Sequence, residues 1–276
     1  MTDIARPDHA GATPDDASAS HLESVRVRRS FDRAASSYDQ AAALQRRVAD
    51  QLLANLDRVV ISPGAILDAG CGTGYGTAAL AQRFAQAQLY ALDIAPAMLD
   101  TTSSRVPAIT PVCADVQDLP LAPASIDLAW SSLMLQWCNR TDLAFAGLHR
   151  SLRKGGRLLF STFGPASLQE LRASFSDGHT HVSRFSTMDE LKQQLLAAGF
   201  SDVELRSAPE VLYYPDVRSL MLELKAIGAH NATAGRPRGL SGKQAWQAML
   251  NYYEGHRAPQ GLPATYEILY ASAIAA

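Results

Sequence analysis

The sequence predicts an α/β fold in which helices cover both faces of a mostly parallel sheet. Three observations point to this class. Short apolar runs typical of buried strands alternate with helical patterns. A glycine-rich turn follows the first of these runs directly, and acidic residues stand at the ends of the second and third. Strands that alternate with helices at this pace are expected to pair in parallel.

Two helices are predicted ahead of the first strand. In the first, Leu22, Val25 and Phe31 recur at near-helical spacing beside several arginines. The second has one apolar stripe at four-residue steps, from Leu44 to Leu56. Five strands then alternate with helical segments, at residues 65–69, 89–93, 110–115, 126–130 and 157–162.

The last third of the chain mixes further helices with extended segments. A helix is predicted from Thr187 to Gly199, and residues 203–205, 212–213 and 266–271 are predicted to be extended. Added helices over about 215–257, interrupted by a Gly/Pro-rich stretch, are interpreted as an inserted helical lid. Residues 21–276 are expected to form one domain, and residues 1–20, rich in Ala, Asp, Pro, Thr and Ser, a disordered extension.

Composition excludes several classes of protein. The 276 residues carry 25 basic and 27 acidic side chains, so the chain lacks the overall positive field of a nucleic-acid or membrane-surface binder. The three cysteines lie far apart without C-x-x-C spacing, which argues against a zinc site or disulfide framework. No run approaches the roughly 20 apolar residues of a membrane span, and no secretory signal is evident. We expect a cytosolic protein.

The densest chemical signal is the segment Asp68-Ala-Gly70-Cys-Gly72-Thr-Gly74 at the end of the first strand. Glycines permit positive φ and let a ligand lie against bare backbone at a helix N-terminus. The sixth position counted from Gly70 is Tyr75, so the segment is not a G-x-G-x-x-G dinucleotide fingerprint, and it lacks the G-K-[ST] of a P-loop.

Two carboxylates follow the next two strands. Asp93 lies about 20 residues past the glycine turn, where an acidic side chain can accept hydrogen bonds from ribose hydroxyls, although it could also cap the next helix. Asp115 ends the third strand, where a carboxylate can accept a hydrogen bond from an adenine amino group. Each signal is weak alone, and together they predict a nucleoside site.

These motifs resemble those of class I S-adenosylmethionine-dependent methyltransferases. The resemblance implies a Rossmann-like, seven-stranded, mostly parallel sheet with one antiparallel strand near its end. It also implies S-adenosyl-L-methionine as cofactor and S-adenosyl-L-homocysteine as product. The cofactor-binding residues it implies are Asp68, Gly70, Gly72, Gly74, Asp93 with Ile94, Asp115 with Val116, and Ser131. It also implies that Ser131 or Ser132 opens the acceptor side.

The flanking segments are similar to a narrower family, the malonyl-[acyl-carrier protein] O-methyltransferases (BioC) of biotin synthesis. The similarity covers nearly everything after residue 25. It rests on residues 30–39 with Leu44-Gln45, 127–133 with Gln136-Trp137, 160–162, Arg184-Phe185, 224–229 and 263–266. It implies methyl transfer to the free carboxylate of a malonyl thioester, either malonyl-acyl carrier protein or malonyl-CoA. This step needs no general base, because a carboxylate is already ionised at pH 7.

Candidate catalytic residues follow from the needs of that reaction. A cationic fork is the expected grip on a carboxylate, and Arg184 beside Phe185 is the candidate, although a surface arginine near a helix start is the alternative. Tyr38 is expected to hydrogen-bond the carboxylate or close over the cofactor, against simple core packing. Lys225 and Arg236 in the added helices are candidate contacts for the acyl chain or carrier, against solvated surface side chains.

An acidic carrier protein calls for a local positive patch on a nearly neutral enzyme. The candidates are the cluster around Arg29, with Arg26, Arg28 and Arg33, or a second cluster of Arg236, Arg238 and Lys243. No metal is expected, since His179 and His181 lack further clustered ligands. We expect a monomer that binds neither nucleic acid nor membrane.

Other functions remain open from the sequence. One is methylation of another small carboxylic acid, such as aconitate, or of a quinone-type ring. Another is a methyltransferase-like protein that binds the cofactor but hydroxylates or assists an assembly partner.

Overall fold

Seven strands form one sheet in the part of the chain that the computed structural model describes, residues 14–58, 61–175, 184–227 and 243–276. The sheet order is β3-β2-β1-β4-β5-β7-β6. Strands β1 to β5 pair in parallel, and β7 runs antiparallel to both β5 and β6. The strands are β1 (Ala65–Ala69), β2 (Gln88–Asp93), β3 (Thr110–Cys113), β4 (Ile126–Ser132), β5 (Leu152–Phe163), β6 (Phe200–Tyr214) and β7 (Leu262–Ala275). The predicted seven-stranded α/β fold is confirmed.

Helices pack on both faces of this sheet. Short 3₁₀ turns at Leu56–Arg58, Val116–Asp118 and Leu135–Trp137 accompany them. The helices are α1 (Pro14–Ala34), α2 (Tyr38–Ala41), α3 (Ala43–Asn55), α4 (Tyr75–Arg83), α5 (Pro96–Arg105), α6 (Thr141–Ser151), α7 (Gln169–Ala173), α8 (Met188–Ala197), α9 (Val217–Ala226) and α10 (Lys243–Glu254).

The start of α1 differs from the boundary expected near His21. The helix begins at Pro14, so residues 14–20 of the expected disordered extension are helical, and residues 1–13 lie outside the described residues. Local sequence accounts for this start. Proline is favoured at the first position of a helix. Low apolar content alone was a poor guide to where the helix begins.

The core lies on both sides of β1 and β4, the central strands. All five residues of β1 are buried, as expected for a strand covered on both faces. On one face the stripe of α3, including Val48 and Leu52, packs in a cluster with Trp130. On the other face Phe145 of α6 belongs to a second cluster. These two layers fix the positions of the strand ends that carry the site.

Helices α9 and α10 pack near the end of β6 and the start of β7. Leu220 of α9 and Tyr253 of α10 are buried in the same cluster as Tyr266 of β7. The hydroxyl of Ser37, just before α2, donates a 3.4 Å hydrogen bond to the carbonyl of Ala226 at the end of α9. No helix among the described residues is long and apolar enough to cross a membrane.

Candidate active site

The glycine-rich turn joins β1 to α4 with three residues in the left-handed region. Gly70, Gly72 and Gly74 have φ of 81°, 54° and 84°. A Cβ at position 70 would lie 2.3 Å from the Met134 Cγ, whereas a Cβ at position 72 would meet nothing within 4 Å. Glycine at 70 therefore permits close packing, and Gly72 presents bare backbone to open space.

That open space is a cleft at the carboxyl ends of the parallel strands, the edge where open α/β sheets bind ligands. Its empty volume, including the part open to solvent, is about 670 Å³. Its walls come from α1, α2 and the segments that follow β1, β2, β3 and β4. The lining residues are Ser24, Val27, Phe31, Tyr38, Gly70, Gly72, Leu92, Asp93, Ile94, Met98, Ala114, Asp115, Val116, Gln117, Ser132, Leu133, Met134, Trp137 and Cys138.

Asp93 is a buried carboxylate in this lining. Its two oxygens accept backbone hydrogen bonds from Gly72 and Ala95, each at 2.9 Å. Burial raises the pKa of the Asp93 carboxyl to about 6, and hydrogen bonds from the backbone amides of Ala95, Gly72 and Ile94 oppose that shift. Each carboxylate oxygen can accept a further hydrogen bond, so Asp93 can still receive hydroxyl donors from a ligand.

Asp115 also lines the cleft and contacts α1. One oxygen accepts a 2.9 Å hydrogen bond from the backbone of Gln117, and the other a 2.7 Å bond from the Ser24 hydroxyl. Val27 and Phe31 continue the same face of α1 along the cleft. Helix α1 therefore forms one wall of the site.

Tyr38 at the start of α2 is held by contacts of its neighbour Asp39. The Asp39 carboxylate accepts a hydrogen bond from Thr73 in the glycine-rich turn and pairs with Arg105 of α5. Burial opposes ionisation of Asp39, but these hydrogen bonds outweigh it and lower the pKa of that carboxyl. Burial, together with Asp93 and Asp39, raises the pKa of the Tyr38 phenol, so it remains a neutral donor at physiological pH.

Comparison with known proteins identifies the family. A family model described as "Methyltransferase domain" matches residues 67–160. The chain is 47% identical over 270 residues to the malonyl-[acyl-carrier protein] O-methyltransferase of Laribacter hongkongensis (strain HLHK9), covering 92% of this chain and 90% of that protein. It is 48% identical over 263 residues to the protein of that name from Methylovorus sp. (strain MP688), covering 91% and 89%. The chain belongs to the malonyl-[acyl-carrier protein] O-methyltransferase family.

Solved structures agree on the fold. A structure from Thermotoga maritima, described as a SAM-dependent methyltransferase and possible histamine N-methyltransferase, superposes with a TM-score of 0.56. It is 15% identical and covers 91% of this chain and 100% of that one, a likeness that concerns the fold alone. As a family member, this chain is an S-adenosylmethionine-dependent methyltransferase with the class I fold.

Some residues expected in the cofactor site of this methyltransferase lie beside the cleft, outside its described lining. Asp68 is buried within β1 and accepts a 2.6 Å hydrogen bond from the Thr77 hydroxyl of α4. Burial raises the pKa of the Asp68 carboxyl to about 7, against the Thr77 hydrogen bond. The Ser131 hydroxyl donates to the carbonyl of Ala69, and its neighbour Ser132 lines the cleft. Gly74 packs against Thr102 of α5.

Arg184 does not reach the cleft of the methyltransferase. Its side chain is 81% exposed and pairs with Glu190 at 2.5 Å. Glu190 also accepts from the Thr187 amide in the capping box that begins α8, so the arginine is held by a residue fixed at a helix start. Phe185 turns inward instead, with its ring 5.5 Å from that of Phe163 at the end of β5.

The candidate partner residues of the enzyme are placed as follows. Arg29 is exposed on α1 and Lys225 is exposed in the last turn of α9. Arg236, with His179 and His181, lies outside the described residues.

Two aromatic residues that were not among the predicted site residues, Phe31 and Trp137, help to line the cleft of the methyltransferase. The ring of Phe31 contacts that of Trp137 edge-on at 5.3 Å and lies 6.4 Å from the Tyr38 ring. The near-helical spacing of Phe31 in α1 was visible, but nothing local showed that its partner would be a residue 106 positions later. Within the described lining the cleft has no Arg, Lys or His side chain.

Proposed function

We propose that this chain transfers the methyl group of S-adenosylmethionine to the free carboxylate of a malonyl thioester, giving the methyl ester that begins pimeloyl chain assembly in biotin synthesis. The observation that carries the proposal is near-full-length similarity, 47% identity over 92% of the chain, to a relative bearing that activity in its name. The cleft adds chemical support, because its bare backbone, carboxylates and apolar side chains fit the nucleoside part of the cofactor.

The residues present fit the cofactor. Gly72 offers bare backbone facing the cleft, and the Asp93 carboxylate retains free lone pairs where ribose hydroxyls would donate. Ile94, Met98 and Val116 give the cleft an apolar wall suited to a purine. Asp115 would accept from the adenine amino group beside that wall. Gly70 and Gly74 shape the turn. Asp68 stabilises it through the hydrogen bond from Thr77, which joins β1 to α4.

The chemistry requires alignment rather than proton transfer. When bound, S-adenosylmethionine supplies an electrophilic methyl group, which a carboxylate oxygen takes as the carbon–sulfur bond breaks and its electron pair stays on sulfur. The malonyl carboxylate is ionised at pH 7, so the protein needs no general base. Its task is to hold the nucleophile in line and to limit hydration, which the aromatic wall of Phe31 and Trp137 favours.

Tyr38 is the proposed carboxylate contact. It lines the cleft beside the glycine turn, and its phenol remains protonated, so it can donate one hydrogen bond and leave the second carboxylate oxygen free to attack. Arg184, the cation expected for this task, is paired with Glu190 outside the cleft. A neutral donor leaves the carboxylate more nucleophilic than a bidentate guanidinium would.

The proposed carrier contact is the exposed arginine face of α1. Arg26, Arg29 and Arg33 fall at i, i+3 and i+7 and are exposed, while Val27 and Phe31 of the same helix line the cleft. An acidic carrier protein would meet positive charge on the outer face of the helix that forms one wall of the cleft. Lys225 at the end of α9 is a further candidate contact. Arg236 remains a sequence-based candidate.

The test is a methyl-transfer assay with purified protein and labelled S-adenosylmethionine. Malonyl-acyl carrier protein, malonyl-CoA, aconitate and a quinol are compared as acceptors. Methylation of a malonyl thioester is the expected result, and the ratio of the first two rates shows the preferred carrier. If only aconitate or the quinol is methylated, or if no acceptor is methylated, the proposal is wrong. Sedimentation of the same preparation tests whether the protein is a monomer, as expected. Fractionation of cells tests whether it lies in the cytosol.

A further inference from the structure

A polar groove adjoins the cofactor cleft and shares part of its wall. Val27, Trp137 and Cys138 line both spaces. The groove has a volume of about 1050 Å³, including the part open to solvent. It runs between α1, the turn after β4 and the segment from Arg184 to the start of α8. The groove therefore connects the protein surface with the end of β4, where the acceptor is expected.

The two charged side chains in this groove have opposite charges, so the groove has no net charge. Arg184 and Glu190 form an ion pair, and hydrogen bonding from the Thr187 amide, with the nearby Arg184, lowers the pKa of the Glu190 carboxyl. Within the described lining these are the only charged side chains of the groove. A free phosphate or an acidic helix would gain little here, since a carboxylate stands beside the cation.

Amide and hydroxyl side chains make up the rest of the polar lining. They are Gln136, Asn139, Thr141, Ser186 and Gln194. Neither Asn139 nor Ser186 makes a side-chain hydrogen bond within the part of the chain that the structure describes. Apolar surface from Val27, Trp137 and Phe185 lies between these groups. Such a surface suits a flexible, uncharged ligand that carries both amides and alkyl groups.

The groove walls are braced against the strand ends. Gln136 donates a 2.5 Å hydrogen bond to the carbonyl of Leu133, and its carbonyl accepts a 3.2 Å bond from Thr162 at the end of β5. The Thr141 hydroxyl donates to Gln194 of α8 at 2.6 Å. These contacts fix the groove relative to the cleft without occupying Asn139 or Ser186.

We propose that this groove binds the pantetheine arm that carries the malonyl thioester. The proposal rests on the function proposed above. A pantetheine arm has two secondary amides, a hydroxyl and a gem-dimethyl group, which match the amide and hydroxyl side chains and the apolar surface between them. Its thioester end would lie at Val27, Trp137 and Cys138, where the groove meets the cleft. Arg184 lies at the side of the arm and makes no contact with the reacting carboxylate.

Two small substrates test the proposal without a carrier protein. Malonyl-pantetheine has the whole uncharged arm, and malonyl-N-acetylcysteamine has only its thioester end. Ser186→Trp fills the groove, and Asn139→Leu removes one amide from it. Ser62→Trp is the matched control. Ser62 is exposed just before β1, at the amino ends of the parallel strands, whereas the groove lies near their carboxyl ends. Thermal denaturation checks that each variant is folded.

The expected result is a rise of about tenfold or more in KM for malonyl-pantetheine in Ser186→Trp, with a smaller rise in Asn139→Leu. The kcat/KM for malonyl-N-acetylcysteamine stays at the wild-type value in both, and Ser62→Trp changes neither substrate. Equal losses on both substrates, or no loss on either in folded variants, would overturn the groove assignment alone. A wild-type enzyme that methylates no malonyl thioester would overturn the proposed function, and the arm with it.

Discussion

Asp39 accepts a 2.5 Å hydrogen bond from the Thr73 hydroxyl, which ties the helix that carries Tyr38 to the glycine-rich turn. The second oxygen of Asp39 pairs with Arg105 of α5, and the Arg46 guanidinium donates a 2.6 Å hydrogen bond to the Asp39 carbonyl. On the other side, the Ser37 hydroxyl reaches the carbonyl of Ala226 in α9. The consecutive residues Ser37, Tyr38 and Asp39 thus join α9, the cleft and the glycine-rich turn.

The first prediction concerns how Asp39 acts through Tyr38. Asp39→Ala removes the Thr73 and Arg105 contacts, so we expect kcat to fall about tenfold, the equivalent of ~1.4 kcal/mol, as the Tyr38 hydroxyl loses its position. In a Tyr38→Phe background the same change is expected to have little further effect on kcat, because coupled residues are not additive. Steady-state kinetics of the four proteins measure this.

Asp57→Ala is the matched control for that cycle, since it removes a comparable pair, with Arg83 at 2.7 Å, away from the cleft. It is expected to leave kcat unchanged. Additive losses in the double variant would show that Asp39 does not act through Tyr38.

The second prediction concerns the pH dependence of cofactor binding. Burial raises the pKa of Asp93 to about 6, and ribose hydroxyls would bind the ionised form. Affinity for S-adenosylhomocysteine is therefore expected to be constant above pH 6 and to weaken about tenfold for each pH unit below it. Calorimetric titrations between pH 5 and 8 measure this. Asp93→Asn is expected to bind more weakly with a flat profile, and wild-type affinity in that variant would refute the ribose role.

That Gly70, Gly72 and Asp93 line one cleft was predictable, because their signals are local. Gly70, Gly72 and Asp93 stand directly at strand ends, where neighbouring parallel strands bring them together. The contact between Ser24 and Asp115 joins residues 91 positions apart, and no local pattern specifies such a pair. Arg184 shows a different limit. The Thr187–Glu190 capping box is visible in the sequence. The second oxygen of Glu190 pairs with Arg184, and that contact depends on the path of the chain before α8, which the sequence does not show.

The third prediction concerns the free energy of unfolding. The Asp68 pKa is about 7 in the folded protein, above its ordinary value of 3.8, so the folded state binds the proton more tightly. Stability from this group is present below pH 3.8 and is lost as pH rises towards 7. Asparagine does not titrate, so the free energy of unfolding of Asp68→Asn lacks this pH dependence. The difference in free energy of unfolding between Asp68→Asn and wild type should therefore shift in favour of the variant by a few kcal/mol from pH 4.5 to pH 7.5.

Urea denaturation at the two pH values measures this change, with the exposed Asp100→Asn as control. A difference between Asp68→Asn and wild type that stays constant with pH would show that Asp68 titrates normally.

The last prediction tests the arginine face of α1. Arg26→Glu, Arg29→Glu and Arg33→Glu together reverse an exposed stripe opposite the helix face that lines the cleft. We expect KM for malonyl-acyl carrier protein to rise about tenfold or more at low salt, because an acidic partner meets like charge, and the difference to shrink as salt screens it. KM for malonyl-pantetheine, which has no charged carrier, is expected to stay unchanged.

Lys154→Glu is the control, because Lys154 is exposed near the start of β5, at the end of the strand away from the cleft. An equal rise for both substrates would mean that the triple variant disturbs the cleft itself, and no rise for either would place the carrier on another surface.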